Sequence, residues 1–191
     1  LSRRSMRIRS GRRVSFGSYF NAFPASYWRR WTVAEKVVLS VATTGAGSLI
    51  VYRSNARGGA ALWVLPANMT SYSDVDALVE WVGSEHSESA GGQTTVLKPA
   101  LTPTLLFPFA APRVQGSAAD AGPRAETEMR VLLWGVERLV TGLGKLGADT
   151  NTEGTMHVVL PGSPNRGLFG GDGAYGEAKA ALDALVADSP E

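Results

Sequence analysis

In the run GGDGAYGEAKAALDAL, Tyr175 stands four residues ahead of Lys179, and Ser163 precedes the tyrosine by twelve, in LPGSP. A carbonyl oxygen that gains negative charge needs a proton donor within hydrogen-bond reach and a second polar group to orient it. A phenol, with an ordinary pKa of about 10, exchanges protons slowly near neutrality. A lysine ammonium one helical turn away favours the phenolate. Ser163, Tyr175 and Lys179 thus have the types and spacing to orient and protonate a carbonyl under reduction. Tyr and Lys at i and i+4 share a helix face in any protein, so a solvated surface is the competing reading. The elements that carry the residues have to decide.

From residue 60 onward, strand-like and helix-like stretches alternate. AALWVLP reads as a buried strand and SDVDALVEWVG as a helix with Ser73 as its N-cap. TPTLLFPFAAP is a second strand, RAETEMRVLLWGVERLVTGLGKLG a long amphipathic helix, MHVVLPGSP a third strand and YGEAKAALDALVA a helix. The alternation predicts a wound, parallel α/β sheet. Ser163 then falls at the carboxyl end of a strand, where such sheets keep their ligand sites. SEHSESAGGQTT and RVQGSAADAGP read as polar, glycine-rich loops. Upstream, VSFGSYF and KVVLSVATTGAGSLIVYR are short β-branched and aromatic runs broken by glycine-rich turns, which predicts antiparallel strands across residues 14–53.

Composition bounds the rest. Of the 191 residues, 44% are apolar and 19% charged, an ordinary globular balance. The absence of cysteine excludes disulfides and thiolate metal sites, and the two histidines, His86 and His157, lie far apart, so no metal is expected. No apolar run reaches the roughly 18 residues of a membrane span. The opening LSRRSMRIRS lacks the apolar core of a signal peptide, so the expected location is the cytoplasm. The first residue, Leu1, suggests a start inside a longer reading frame or a trimmed chain. The net charge of +2 conceals a split: residues 1–57 carry eleven of the nineteen Lys+Arg but, in Glu35, one of the seventeen Asp+Glu. SYWRRWT interleaves basic and aromatic residues as phosphate-binding surfaces do. RRSMRIRSGRR reads first as a solvated arm, and nucleic acid is not the expected partner.

Four stretches carry a family resemblance. GAALWVLPANMTSYSDVDALVEWVG, TPTLLFPFAAPRVQG, EMRVLLWGVERLV and HVVLPGSPNRGLFGGDGAYGEAKAALDAL resemble consecutive blocks of the 3-oxoacyl reductase domain of bacterial type I fatty-acid synthases. That domain belongs to the short-chain dehydrogenase/reductase superfamily, and the resemblance covers about residues 56–187. It implies a Rossmann-like sheet, NADPH as cofactor, and a 3-oxoacyl chain on an acyl carrier protein as substrate. It casts Ser163 as substrate orienter, Tyr175 as proton donor, and Lys179 as the base that also holds a cofactor ribose. Two departures stand out. The superfamily commonly places an Asn, holding a relay water, on the helix before the serine strand; the stretch from Ala125 to Gly142 has none, and Leu132 lies near that place. The resemblance also begins only at the reductase's third strand, after the glycine-rich turn and helix N-terminus that bind the dinucleotide pyrophosphate. Thr44-Gly45-Ala46-Gly47 imitates such a turn, but SLIVYR continues as a β-type run where a helix should start, so a hairpin is expected.

RVSFGSYFNAFPASYWRRWTVAEKVVLSVATTGAGSLIVYRSNARG resembles a second family, the N-terminal β-rich domain of polymerising galactofuranosyltransferases. By that resemblance Tyr19, Phe20, Tyr27, Trp28 and Trp31 sit in a sugar-facing β-domain; as core and edge of a small sandwich they need no sugar. The chain thus reads as a basic arm (1–13), a β-rich head (14–57) and a partial reductase-like α/β domain (58–191). The expected fold is α/β: a partial Rossmann-like wound sheet lacking its first two strands, preceded by a small antiparallel β head. In the strand order 3-2-1-4-5-6 the third strand then lacks a neighbour. Unless strands of the head fill the gap, exposed edges predict a homo-oligomer or aggregation. Three readings stay open: a reductase helped by a partner chain, a carbohydrate-binding module with an inert tail, and a non-functional chimera. With the glycine-rich loop missing, weak binding of NADPH or none is expected.

Overall fold

A computed structural model describes residues 4–7, 13–18, 37–42, 48–54, 60–112, 121–146, 156–165 and 172–187. Strands β1 (Arg4–Arg7), β2 (Arg13–Ser18), β3 (Val37–Ala42), β4 (Ser48–Ser54) and β5 (Ala60–Pro66) precede helix α1 (Tyr72–Gly83). Strands β6 (His86–Ala90), β7 (Gln93–Lys98) and β8 (Leu105–Pro108) follow. Helices α2 (Pro123–Met129) and α3 (Gly135–Lys145) are joined by a π-helical segment, Arg130–Trp134, and lead to β9 (Met156–Leu160) and helix α4 (Tyr175–Ala187). The result is a mixed α/β fold with one seven-stranded sheet, in the order β1-β2-β9-β8-β3-β4-β5, and a two-stranded antiparallel sheet, β6-β7.

The pairing of the large sheet answers the edge problem. β8 and β9 are short, apolar and parallel, with Leu106 opposite Val158. Standing alone, such a pair exposes a row of unpaired N–H and C=O groups on each side. β3 covers one side, parallel to β8 with Leu39 opposite Leu106, and β2 covers the other, parallel to β9 with Phe16 opposite Val158. β4 then fits antiparallel between β3 and β5, so that β5 has a neighbour. The expectation of antiparallel strands across residues 14–53 therefore holds for β3 with β4 and needs correction for β2 and β3, whose other partners are parallel. Thr44–Gly47 lies outside the described residues. The strands flanking it pair antiparallel with Ala42 opposite Ser48, the register of a hairpin.

Two local expectations also change. The N-cap of α1 is Ser71 rather than Ser73: the Ser71 hydroxyl accepts from the Asp74 N–H at 3.3 Å and donates to the Asp74 carboxylate at 2.8 Å. SEHSESAGGQTT is a hairpin rather than a loop. Gly91 and Gly92 both take positive φ, 61° and 80°, the left-handed pair that a tight two-residue turn requires. Most of RVQGSAADAGP lies outside the described residues.

One apolar core sits between helices and sheet. It joins Val75, Leu78 and Val82 of α1 to Val136, Leu139, Val140 and Leu143 of α3, Leu182 of α4, Leu106 of β8 and Met156, Val158 and Leu160 of β9. The α3 residues recur at helical spacing, which turns one face inward and leaves Arg138 and Lys145 outside. Entry into α3 depends on Gly135, whose N–H reaches back five residues to the Arg130 carbonyl. A Cβ there would stand 2.6 Å from the Met69 carbonyl oxygen and 2.7 Å from that of Arg130. The absent side chain admits both the π turn and the loop before α1.

Candidate active site

β9 ends at Leu160, and the chain turns through Pro161 and Gly162 to Ser163, which is 7% exposed. The Ser163 Oγ accepts from the Asn165 N–H at 3.1 Å. That bond fixes the oxygen and leaves the hydroxyl proton to donate. α4 begins at Tyr175, with the Tyr175 N–H on the Asp172 carbonyl at 3.3 Å and the Ala178 N–H on the Ala174 carbonyl at 3.0 Å. Gly173, at φ 62°, makes the bend before it. Tyr175 is half-buried.

Lys179 lies one turn further on and is 3% exposed. Its Nζ donates to the Pro161 carbonyl at 2.9 Å and stands 5.4 Å from the centre of the Tyr175 ring. One ammonium thus ties the loop that carries Ser163 to the helix that carries Tyr175. Burial, which disfavours the charged form, pulls its pKa from the usual 10.5 down to about 8. An ammonium has three donors, and one is spent on Pro161. The group can position the loop, face the phenol and still reach a further oxygen.

Two acids that the sequence reading did not single out complete the surroundings. Glu128, near the end of α2, is 2% exposed, and its Oε2 accepts from the Ala174 N–H at 2.9 Å. Burial raises its pKa; the Ala174 bond and the Arg124 charge pull the other way. Asp172 is 7% exposed, and neither of its carboxylate oxygens has a hydrogen-bond partner among the described residues. The signal for Glu128 was present: it stands four residues before Leu132 and eight before Val136, on the apolar stripe of its helix. The i,i+4 spacing to Arg124 makes it look like half of a surface ion pair instead. Leu132, in the place where a relay asparagine was looked for, is buried.

A dinucleotide asks for more than this cluster offers. Its pyrophosphate is commonly held where a strand passes through a glycine-rich turn into a helix N-terminus. Here the internal strand β3 is followed by an antiparallel strand, β4. The Lys179 ammonium has donors beyond the one on Pro161, but the described residues do not fit the whole cofactor. Among them there is also no group of three or more His, Asp or Glu that could hold a metal, and no helix long and apolar enough to cross a membrane.

Comparison with known proteins supports both resemblances. The family described as Galactofuranosyltransferase 2 N-terminal matches residues 1–79. The galactofuranosyltransferase GlfT2 of Mycobacterium tuberculosis is 51% identical over 79 residues, 41% of this chain and 12% of that protein. The fatty acid synthase subunit alpha of Gibberella zeae is 33% identical over 138 residues, 71% of this chain and 8% of the relative. That of Saccharomyces cerevisiae is 33% identical over 137 residues, 71% and 7%. The chain therefore spans about a tenth of the length of the curated relatives it matches. Since 41% and 71% exceed the whole, the two matched stretches overlap.

Proposed function

We propose that residues 58–191, with strands of the preceding segment completing their sheet in a partial Rossmann-like arrangement, carry the proton-donating half of a 3-oxoacyl thioester reductase site. The observation that carries the reading is the Lys179 ammonium, bonded to the Pro161 carbonyl and set against the Tyr175 ring. That ammonium links the loop that carries Ser163 to the helix that carries Tyr175, and the likeness to fatty acid synthase alpha subunits supports the substrate class. Tyr175 donates a hydrogen bond, and then a proton, to the 3-oxo oxygen as negative charge develops there. Ser163 is the second donor, its own oxygen steadied by the Asn165 N–H. Lys179 holds the phenol's surroundings positive and keeps the serine loop in place. The acyl chain arrives as a thioester on an acyl carrier protein. NADPH would be the reductant by analogy, but the described residues do not fit its pyrophosphate.

The match of residues 1–79 to a galactofuranosyltransferase N-terminal domain favours a second reading, a carbohydrate-binding module. Thermal unfolding with each ligand separates the two. Stabilisation by a 3-oxoacyl pantetheine thioester, smaller in Tyr175→Phe, supports the reductase site; stabilisation by galactan alone replaces it with the module. No shift with either ligand identifies the chain as a non-functional chimera.

A further inference from the structure

We propose that Glu128 is a positioning residue for the site, holding the first turn of α4, and with it Tyr175 and Lys179, through the Ala174 N–H. The inference rests on the reductase reading in giving Tyr175 and Lys179 their roles. The first N–H groups of a helix have no partner within it and are met by a side chain, by water or by a ligand. At α4 the partner comes from 46 residues away: Glu128 Oε2 accepts from Ala174 N at 2.9 Å. Ala174 is the residue before Tyr175, and its carbonyl receives the Ala178 N–H, directly before Lys179. Glu128 is carried by α2, which runs through the π segment into α3. Leu139 and Leu143 of α3 are both fully buried in the core. The start of α4 is thereby fastened to a helical run that continues into the buried core. A carboxylate at a helix N-terminus also has favourable charge.

The surroundings single out one oxygen. Glu128 Oε2 makes the bond to Ala174, whereas Oε1 is buried with no hydrogen bond among the described residues and lies 3.8 Å from the Arg124 Nε. Asp172 and Glu177 add negative charge around the group. Positioning therefore depends on one acceptor oxygen, which Glu128→Gln preserves and Glu128→Ala removes, and not on the full charge.

The test reads the placement of Lys179 without substrate or activity. The intact chain is pulsed with an amine-acylating reagent across pH, and modification of Lys179 and Lys98 is followed by peptide mass spectrometry. Lys98, 1% exposed at the far end of α1, reports on global unfolding. In the wild type Lys179 should titrate near 8, as its burial dictates. Glu128→Gln should leave that midpoint in place. Glu128→Ala should move it toward 10.5 while Lys98 stays protected. The proposal is overturned by a Lys179 midpoint unmoved in Glu128→Ala, by an equal shift in Glu128→Gln, or by loss of Lys98 protection together with that of Lys179. A chain that binds no thioester yet shows the expected pattern refutes the reductase reading and leaves the positioning intact.

Discussion

Replacing Lys179 by Met should change how stability depends on pH, because the lysine is held away from its ordinary titration. Its Nζ donates to the Pro161 carbonyl, and burial lowers its pKa from 10.5 to about 8. Between those values the folded chain binds fewer protons than the unfolded chain, so wild-type stability rises with pH across the window and loses that gain as pH falls through 8. At about 1.4 kcal/mol per pH unit the interval corresponds to about 3 kcal/mol. Partial solvent screening of the ammonium reduces the expected effect to about 2 kcal/mol. Methionine fills similar space and does not titrate. Urea unfolding of both chains between about pH 7 and about pH 11 should show the wild type gaining about 2 kcal/mol on Lys179→Met. Stability curves that run parallel across that range would refute the burial of Lys179 and the reasoning built on it.

Three further outcomes follow from the geometry. The Lys98 ammonium donates to the Val82 carbonyl at 3.1 Å, the Pro99 carbonyl at 2.9 Å and the Ser84 carbonyl, and lies 4.6 Å from the Trp81 ring centre. Lys98→Met should cost about 2–4 kcal/mol in urea unfolding by stranding buried acceptors at the end of α1; a change under about 0.5 kcal/mol would contradict this. Gly135→Ala should destabilise more than Gly142→Ala in the same assay, since the new methyl meets two backbone carbonyls at 2.6 and 2.7 Å in the first case and the Val79 side chain at 2.8 Å in the second; each falls within about 1–3 kcal/mol, and the reverse order would refute the close approach at Met69. Spectrophotometric NADPH oxidation with a 3-oxoacyl thioester should run no faster in the isolated wild type than in Tyr175→Phe; turnover abolished by that substitution would reveal a cofactor anchor.

Elements whose pattern was complete within their own residues were legible in the sequence. β5 and α4 have the bounds that AALWVLP and YGEAKAALDALVA suggested, because alternation or helical spacing, a turn before and a break after all agree. SEHSESAGGQTT was misread because its strands carry polar residues on both sides. The left-handed Gly91-Gly92 pair was the signal for a hairpin. The partners of β2 and β3 were not legible at all: parallel pairing with β9 and β8 leaves no mark in the local pattern and follows from the need to cover two open edges. At the site, spacing suggested Ser163, Tyr175 and Lys179. Glu128 escaped notice because a buried acid bonded to a distant backbone N–H has the same local sequence as one in a surface ion pair.

The most direct measurement is a calorimetric titration of the wild type, Tyr175→Phe and Ser163→Ala with a 3-oxoacyl pantetheine thioester. Each substitution removes one neutral hydrogen bond to the 3-oxo oxygen, about 0.5–1.5 kcal/mol, so each should weaken binding about 2- to 12-fold. The 3-hydroxyacyl thioester, which presents a hydroxyl in place of the carbonyl acceptor, should show a smaller difference among the three chains. Equal affinity of all three chains for the 3-oxoacyl thioester, or no binding by the wild type, would contradict the assignment of this cluster as a carbonyl-protonating site.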